Sequence, residues 1–498
     1  MRINRSARLA AALATFFLTA DLNAQQAPAT MSLEDAIELA RRYSPAFRQQ
    51  ANDEAVADWN VRAAYGSLLP SFSASTGVDW QAGGVPRFGN ISGEDIGLSR
   101  TPDYLFSSYS LRVNWSLSGA TLFRLAQERA AREAAHARVD AEAYTLESDV
   151  TRQYLAALRA RDAVRIAQRE LAAADEALKL AQARYDAGAA PRLDAAQAEV
   201  ERGRAEVTLL QAQALEETEK LRLLQLIGLD LGQQFELTTE LAIFEPQWTL
   251  EELTQLALDS HPQIVAARAN ESAGRAAARA ARMSYLPSLS IGGGWSGFTQ
   301  HTRNTGYLIA TGQQAASDAM EACERTNDLY SRLANPYPPR DCSQLAFTDE
   351  DRAAILARND VFPFDFTKQP PSFGLTISMP IFNGFQREAQ LQQAAAAAED
   401  AKHQRRQEEL SRGAAVATAF LAVQTAYRSV AIEERNVAAA AEQLELATER
   451  YRLGAGSILE LTQAQAARAR ADQAHLDAVY SFHENLAALE AAVGRSLR

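Results

Sequence analysis

Hydrophobic and polar residues alternate along four short stretches of the chain. These stretches cover about 71–80, 108–117, 288–297 and 373–382. A period of two predicts β-strands with one apolar face, and strands of about ten residues suit a tilted crossing of a lipid bilayer. Trp80, Trp115 and Trp295 fall in these stretches, as expected of residues that anchor at membrane interfaces. Alternation alone fits the half-buried sheet of a soluble protein equally well.

Two alanine-rich stretches without proline follow the strand pairs and predict very long helices. They run from about Ala120 to Asp186 and from about Phe385 to Arg452. At 1.5 Å per residue, ~66 residues form a rod about 100 Å long. A second helical stretch follows each of them after a glycine-containing turn, at about 192–227 and 458–493. Leucine and alanine at heptad-like positions suit close packing, so each pair predicts a helical hairpin, although an ordinary coiled coil has the same pattern.

The chain contains two copies of one structural unit. The offset between matching residues is 217 for Leu33 and Leu250 and 264 for Leu117 and Ile381, so the second copy carries 47 extra residues (264 − 217). The first repeat covers 25–240 and the second repeat covers 249–498. The insert within the second repeat covers about 298–372. We predict a mainly α-helical fold with transmembrane strands, in which each repeat joins a strand pair to a long helical hairpin.

The first 24 residues have the pattern of a secretory signal peptide. Arg2, Arg5 and Arg8 precede an apolar run from Leu9 to Ala20, and Leu22-Asn23-Ala24 provides a cleavage site. The run is too short to cross a bilayer as a helix, and no later segment offers about 18 unbroken apolar residues. We therefore expect an exported protein without a membrane-spanning helix.

Charge and side-chain chemistry argue against two classes of function. The formal net charge is −12, which does not fit a basic nucleic-acid-binding surface. The six histidines are scattered, and the chain has neither a phosphate-binding loop nor a nucleophile elbow. We therefore expect no enzymatic activity, no cofactor and no metal site. His475 and His483 lie eight residues apart on a predicted helix and are expected at its surface.

Both cysteines of the chain, Cys323 and Cys342, lie in the insert. Because an exported protein folds in an oxidising compartment, we expect them to form a disulfide, with two free thiols as the alternative. The insert joins two strands at the end away from the helices, so it should face the cell exterior.

The two turns between the paired helices share the motif Tyr-x-x-Gly-x5-Asp/Glu. Its residues recur at an offset of 266 and are Tyr185, Gly188, Asp194, Tyr451, Gly454 and Glu460. Pro191 opens the helix after the first turn, and Ser457 with Glu460 forms a capping-box pattern at the second. The second turn contains two glycines, Gly454 and Gly456, and both are free to adopt left-handed geometry. Helix capping is therefore one explanation of Asp194 and Glu460.

Together with the repeated strand pair and helical hairpin, this motif resembles the TolC-like outer-membrane efflux protein family, over essentially the whole chain after the signal. The resemblance implies a homotrimer in the outer membrane of a Gram-negative bacterium. Each chain would give four strands to one twelve-stranded barrel in lipid, above a periplasmic tunnel of twelve helical rods. An assembly is also required on physical grounds, because four strands cannot close a barrel and open edges would leave unpaired backbone groups in lipid.

The resemblance assigns the two turns to a gate at the periplasmic tip of the tunnel. By position, Tyr451 and Asp194 are expected to form a closing contact, and Glu460 is expected in an acidic ring around the channel axis. Gly456 stands where an arginine of the family helps to lock the gate, and Gln463 stands where a second acidic residue occurs. These two differences imply a closed state that is held more weakly, or by other residues.

The resemblance also implies a passive exit duct that receives its cargo from an inner-membrane pump and works with a periplasmic adaptor protein. Efflux of small molecules such as drugs and type I protein secretion both use such a duct. A periplasmic coiled-coil adaptor or structural spacer is the alternative from a different class. Such a protein would lack the four tryptophan-flanked strands.

Overall fold

The computed structural model describes residues 28–85, 87–96, 100–335 and 337–497. The expected signal peptide at 1–24 lies outside the described residues. The chain forms two compact units. The helical unit takes the described residues up to Arg62, Ala126–Arg279 and the chain from Gln390 onward. The strand unit takes Ala63–Leu125 and Ala280–Ala389.

The α-helices of the described residues, in chain order, are α1 (Leu33–Tyr43), α2 (Pro45–Gly66), α3 (Gly119–Asp186), α4 (Arg192–Ile227), α5 (Leu250–Ser260), α6 (Pro262–Arg282), α7 (Thr305–Ser331), α8 (Asp349–Asn359), α9 (Gln386–Arg452) and α10 (Ile458–Val493). The strands are β1 (Thr30–Met31), β2 (Ser71–Gln81), β3 (Arg87–Phe88), β4 (Ile91–Ser92), β5 (Tyr104–Leu117), β6 (Glu236–Leu237), β7 (Ser288–Thr302), β8 (Thr367–Lys368) and β9 (Ser372–Ser378).

Two long helical hairpins are the largest elements of the fold. Helix α3 has 68 residues and α9 has 67, so each is a rod of about 100 Å. Their partners α4 and α10 have 36 residues each. The long helices contain no proline and much alanine, which favours uninterrupted helix. The mainly α-helical fold class with two tandem repeats is therefore confirmed.

Each repeat contains a short helix that is capped in the same way. The backbone N–H of Asp35 donates to the Ser32 hydroxyl at 3.1 Å, and the Asp35 carboxylate accepts from the Ser32 N–H at 3.0 Å. Thr249 and Glu252 form the same reciprocal pair at the start of α5. These hydrogen bonds lower the pKa of both carboxyl groups. The caps satisfy backbone donors that have no partner inside the helix.

The buried core of the helical unit lies where the short helices pack against the long hairpins. Tyr154 of α3 is fully buried, and its hydroxyl donates to the carbonyl of Met31 at 2.8 Å. Leu223 and Ile227, near the end of α4, belong to the same cluster. A second apolar cluster surrounds Phe482 of α10. The first cluster therefore includes the end of α4 that lies away from its turn, and the second cluster includes the corresponding end of α10.

His483 does not lie at the surface as its position on the predicted helix suggests. It is 2% exposed, and its ring packs edge-on against Phe482 with 5.1 Å between ring centroids. The expectation was wrong because the end of α10 packs against neighbours on several sides. Sequence spacing along one helix does not reveal such neighbours.

The main sheet of the strand unit is antiparallel. Strand β2 pairs with β5, β5 pairs with β7, and β7 pairs with both β8 and β9. Strands β5 and β7 contain 14 and 15 residues, more than the alternating pattern predicts. Strand β9 ends at Ser378, earlier than the predicted end near 382. Pro380 accounts for this, because it has no N–H to donate to a strand ladder.

The register of the sheet places apolar and polar side chains on opposite faces. Leu117, Leu289 and Ile377 lie directly opposite one another and form one apolar row. Ile377 is 71% exposed, so the described part of the chain does not cover this face. On the other face, Ser75 and Ser110 share a hydrogen bond of 2.8 Å. An uncovered apolar face behind a hydroxyl-rich face fits a wall between lipid and water.

Helix α9 meets the length and composition criteria for a membrane-crossing helix, and no other helix of the described residues does. Its high alanine content accounts for this hydropathy. The helix also pairs with α10, for example where Arg468 donates to the carbonyl of Val437 at 2.9 Å. We therefore assign its apolar residues to packing between helices.

The insert of the second repeat is folded and fastened to the sheet. Strand β7 continues into it as far as Thr302, and helices α7 and α8 follow. Cys323 and Cys342 are joined by a disulfide, with their Cα atoms 5.8 Å apart. The buried side chain of Asn359 accepts from the N–H of Thr302 at 2.8 Å and donates to its carbonyl at 2.9 Å. This pair of hydrogen bonds holds the end of α8 against the end of β7.

Candidate functional site

The turns of the two long hairpins have the same backbone geometry. Gly188 and Gly454 have φ angles of +72° and +77°, in the left-handed region that only glycine adopts without strain. In both turns the next residue, Ala189 or Ala455, donates its N–H at 2.8 Å to the carbonyl five residues earlier. The repeat at an offset of 266 therefore extends to the hydrogen bonds of the backbone.

An arginine supports each turn from within its own hairpin. Arg184 donates to the carbonyl of Ala189 at 3.3 Å, and Arg450 donates to the carbonyl of Ala455 at 3.3 Å. Both arginines directly precede the tyrosine of the motif. Sequence reasoning missed them, although the repeated Arg-Tyr pair could have identified them.

Tyr451 joins the second hairpin to the first. Its side chain is 1% exposed, and its hydroxyl donates to Oδ2 of Asp194 at 3.0 Å. The guanidinium carbon of Arg184 lies 4.4 Å from the centre of the Tyr451 ring, and Arg184 also donates to the Tyr451 carbonyl. The structure thus brings together the two residues that the resemblance pairs, and adds Arg184 to them.

The environment of Tyr451 keeps its hydroxyl protonated. Burial raises the pKa of Tyr451 to about 12, helped by the hydrogen bond and the negative charge of Asp194 and opposed by the positive charge of Arg184. Ionisation of the phenol would place two negative charges side by side. Tyr451 is therefore a neutral donor at physiological pH, and a hydrogen bond from it to a carboxylate contributes about 1.5–3 kcal/mol.

An apolar contact lies beside this hydrogen bond. Ala181 and Ala198 of the first hairpin and Ile458 and Leu461 of the second are buried together with Tyr451. The small alanine side chains let the helices approach closely. Exclusion of water from the contact strengthens the neighbouring hydrogen bond, because the local dielectric constant is low.

The repeat-related residues Tyr185 and Glu460 are not brought together within the chain. Tyr185 is 40% exposed, and its hydroxyl has no hydrogen-bond partner among the described residues. The Glu460 carboxylate instead lies 3.6 Å from Arg450 of its own turn. Gln463 is exposed, and in the described part of the chain its side chain forms no hydrogen bond.

The capping explanation holds only in part. The Ser457 hydroxyl accepts from the backbone N–H of Glu460 at 3.2 Å, so Ser457 is an N-cap. The Glu460 side chain does not complete the predicted capping box, because its carboxylate faces Arg450. Asp194 does not cap α4 either, since its carboxylate accepts from Tyr451 and the N-cap residue is Pro191.

Gly456 does not have the left-handed geometry expected from the sequence, since Gly454 has the positive φ in this turn. The N–H of Gly456 donates to the carbonyl of Arg450 at 3.0 Å. A Cβ atom at position 456 would lie 3.1 Å from the Arg450 Cβ and 3.2 Å from Oε2 of Glu460. Close packing around position 456 therefore explains this glycine.

The described residues contain no group of three or more His, Cys, Asp or Glu side chains arranged to hold a metal ion. The polar contacts at the two turns join helices and carry no nucleophile or acid–base pair aimed into a cavity. The contacts of Tyr451 with Asp194 and Arg184 hold the two hairpins together.

Comparison with known proteins identifies the family. Residues 36–229 and 356–495 match the sequence profile of the outer membrane efflux protein family. These segments cover more than half of the chain, which therefore belongs to this family. It is an outer-membrane efflux channel of a transport family, and the alternative of a periplasmic adaptor or spacer is set aside.

Solved structures share the fold at low sequence identity. The CmeC outer membrane channel of Campylobacter jejuni has a TM-score of 0.68 at 15% identity, over 93% of this chain and 85% of CmeC. The outer membrane protein VceC of Vibrio cholerae has a TM-score of 0.65 at 16% identity, over 94% and 97%. The MtrE channel of Neisseria gonorrhoeae in its open state has a TM-score of 0.63 at 19% identity, over 94% and 89%. No curated protein sequence is significantly similar to this chain.

Proposed function

We propose that three copies of this chain form an outer-membrane exit duct for small molecules, and that the contact between Tyr451 and Asp194 holds its periplasmic end closed. The duct would be passive and would work with a periplasmic adaptor and an inner-membrane pump that supplies the energy. The observation that carries the gate is the hydrogen bond of 3.0 Å between the two hairpins. It is the kind of contact that must break when the hairpins move apart.

The sheet supports an assembly of several chains. Strand β2 lies at one edge of the main sheet, and β8 and β9 lie at the other, where both pair with β7. A lipid environment does not tolerate open strand edges. Three copies with four long strands each would give a closed barrel of twelve strands, which is wide enough for a water-filled lumen. The uncovered apolar face around Ile377 would then contact lipid, and the serine face would line the lumen.

Opening of the tip requires a limited rearrangement. Separation of the hairpins breaks the hydrogen bond from Tyr451 to Asp194 and lifts the Tyr451 ring from Arg184, whereas the backbone hydrogen bonds within each turn remain. The free-energy difference between closed and open tips is therefore set by a few side-chain contacts per chain. Binding of an adaptor to the hairpins would supply a comparable free energy.

Single-channel conductance in planar lipid bilayers tests this gate. Tyr451→Phe removes the hydroxyl and retains the ring, so we expect a shift of about 10- to 100-fold toward the open state. Asp194→Ala should have the same effect. Tyr480→Phe is the matched control, because it removes a similar hydrogen bond of 2.6 Å to Asp162, away from the turns, and its conductance should equal that of the wild type.

Two results would contradict the proposal. Wild-type conductance in both Tyr451→Phe and Asp194→Ala would contradict the proposed gating contact and leave the proposed exit duct standing. A purified protein that stays monomeric and water-soluble without detergent would also contradict the proposed exit duct.

A further inference from the structure

The two motif tyrosines have different surroundings although their turns have the same backbone. Tyr451 is 1% exposed and donates to Asp194, whereas Tyr185 is 40% exposed. Among the described residues, the Tyr185 hydroxyl has no hydrogen-bond partner. The Tyr185 hydroxyl is therefore accessible to a partner from outside the chain.

In the contact between the two hairpins of one chain, each hairpin supplies different residues. The first hairpin, α3–α4, supplies Arg184 and Asp194, and the second hairpin, α9–α10, supplies Tyr451. The residues that would form the reverse contact are also present. The second hairpin carries Arg450 and Glu460, and the first carries Tyr185, each at an offset of 266 from its counterpart.

A homotrimer places six hairpins around one axis, so that first and second hairpins alternate. Each second hairpin then has the first hairpin of its own chain on one side and the first hairpin of the next chain on the other. Rotation by one hairpin about the axis places each first hairpin on a second hairpin. The contact between the two hairpins of one chain then falls on the contact between hairpins of neighbouring chains.

We propose that Tyr185 of one chain binds Glu460 and Arg450 of the neighbouring chain and seals the tip between protomers. The Tyr185 hydroxyl donates to the Glu460 carboxylate, and the Arg450 guanidinium packs on the Tyr185 ring, as Arg184 packs on Tyr451. This inference rests on the trimer of the proposed function. It extends the closure from three contacts within chains to six contacts around the ring.

The local geometry leaves these groups available to a neighbour. The side chains of Arg450 and Glu460 are 60% and 49% exposed, and their charged atoms are 3.6 Å apart, too far for a hydrogen bond. A Cβ at position 456 would lie 3.2 Å from Oε2 of Glu460, so the absence of a side chain at Gly456 keeps that oxygen uncovered. Glu460 thus has one loosely held cation and free acceptor capacity for a phenol.

Cysteine cross-linking in the full-length protein, purified in detergent, tests the contact. A tyrosine and a carboxylate in hydrogen-bond contact have Cα atoms too far apart for a disulfide, so a short bismaleimide joins the thiols. The native Cys323 and Cys342 are paired and do not react. Tyr185→Cys with Glu460→Cys should give covalent dimers and trimers on a denaturing gel.

The matched pair is Asp194→Cys with Tyr451→Cys, which should cross-link within one chain and remain at the monomer position. Mass spectrometry of its digested band identifies the joined peptides. Each of the four single-cysteine variants should give no covalent dimer.

The inference is overturned if the Tyr185→Cys with Glu460→Cys variant forms an intact trimer but its thiols stay unlinked or are linked only within one chain. The proposed exit duct would then still stand. Covalent dimers from Glu460→Cys alone also overturn it, because they place the Glu460 residues next to one another around the axis. A preparation without trimers overturns the inference together with the proposed function.

Discussion

Asp194 and Glu460 occupy equivalent positions in the two repeats, yet their carboxylates face different partners. Asp194 accepts a hydrogen bond of 3.0 Å from Tyr451 of the other hairpin, and Glu460 lies 3.6 Å from Arg450 of its own turn. Both residues lie in the first helical turn, where the helix dipole favours a negative charge. The two carboxylates therefore differ in partner, one lying across the hairpin contact and the other within its own turn.

Arg184 should also stabilise the closed tip, through its contacts with Tyr451. Arg184→Met removes the charge and keeps the length of the side chain. It loses a cation–π contact of about 0.5–1 kcal/mol and a hydrogen bond of about 1 kcal/mol, which corresponds to a shift of roughly 10-fold toward the open state. Single-channel recording measures the shift. Arg192→Met, an exposed arginine at the start of α4, is the control, and equal open probabilities in the two variants would contradict this role.

Glycine substitutions should separate conformation from packing at the second turn. Gly454→Ala places alanine at a φ of +77°, which costs about 1–2 kcal/mol and lowers the melting temperature. Gly456→Ala meets atoms of Arg450, Tyr451 and Glu460 at 3.1–3.2 Å and should destabilise the turn through crowding. Thermal denaturation in detergent, followed by circular dichroism, measures both effects.

Gly203→Ala in the interior of α4 is the control for these substitutions. An added Cβ there has no atom within 4 Å, so the change should stabilise the protein by about 0.5–1 kcal/mol. A Gly454→Ala variant that melts at or above the temperature of Gly203→Ala would show that the left-handed turn is not required.

The stability of the second repeat should fall in mild acid because of His261. The backbone N–H of Gln263 donates to Nδ1 at 3.1 Å, and the carbonyl of Ala491 lies 3.0 Å from Nε2. These contacts suit a neutral ring with its proton on Nε2. Burial lowers the pKa of His261 below its ordinary 6.5, and nearby Arg412 adds to the shift, while the contact with Ala491 and the charge of Glu408 oppose it.

A lowered pKa in the folded state means that the contribution of His261 is complete above about pH 6.5 and is lost as the pH falls below that value. Melting temperatures of the wild type should therefore decrease between about pH 6.5 and pH 5. His261→Gln should melt lower at neutral pH and depend less on pH over this interval. Parallel pH profiles for the two proteins would assign the acid sensitivity to other groups.

The disulfide should protect the insert from proteolysis. Cys323 and Cys342 are 19 residues apart, and closing a loop of this size in the unfolded chain contributes about 3 kcal/mol. Arg325, Arg332 and Arg340 are exposed in the folded insert, and reduction should speed tryptic cleavage after them because the surrounding backbone unfolds more often, with cleavage followed by mass spectrometry. The double variant Cys323→Ser with Cys342→Ser should be cut without reductant as fast as the reduced wild type is. Equal rates of cleavage for the oxidised and the reduced wild type would contradict the prediction.

Much of the fold could be predicted because its signals are periodic and repeated. Alternation located the four long strands, although β9 is shorter because Pro380 ends its ladder. Alanine-rich stretches without proline located α3 and α9. The position of His483 could not be predicted, because its burial depends on packing around the end of α10 rather than on its spacing along the helix.

By itself, the sequence determined the two repeats with their helices and strands, because local periodicity and fixed offsets between matching residues encode them. The pairing of Tyr451 with Asp194 came from the family resemblance. Only the tertiary structure decided that Arg184 joins this pair, that Glu460 leaves its capping box incomplete, and that Tyr185 remains exposed. These outcomes depend on which hairpin lies beside which. Two repeats with equivalent residues have different neighbours within one chain, and no local pattern records that difference.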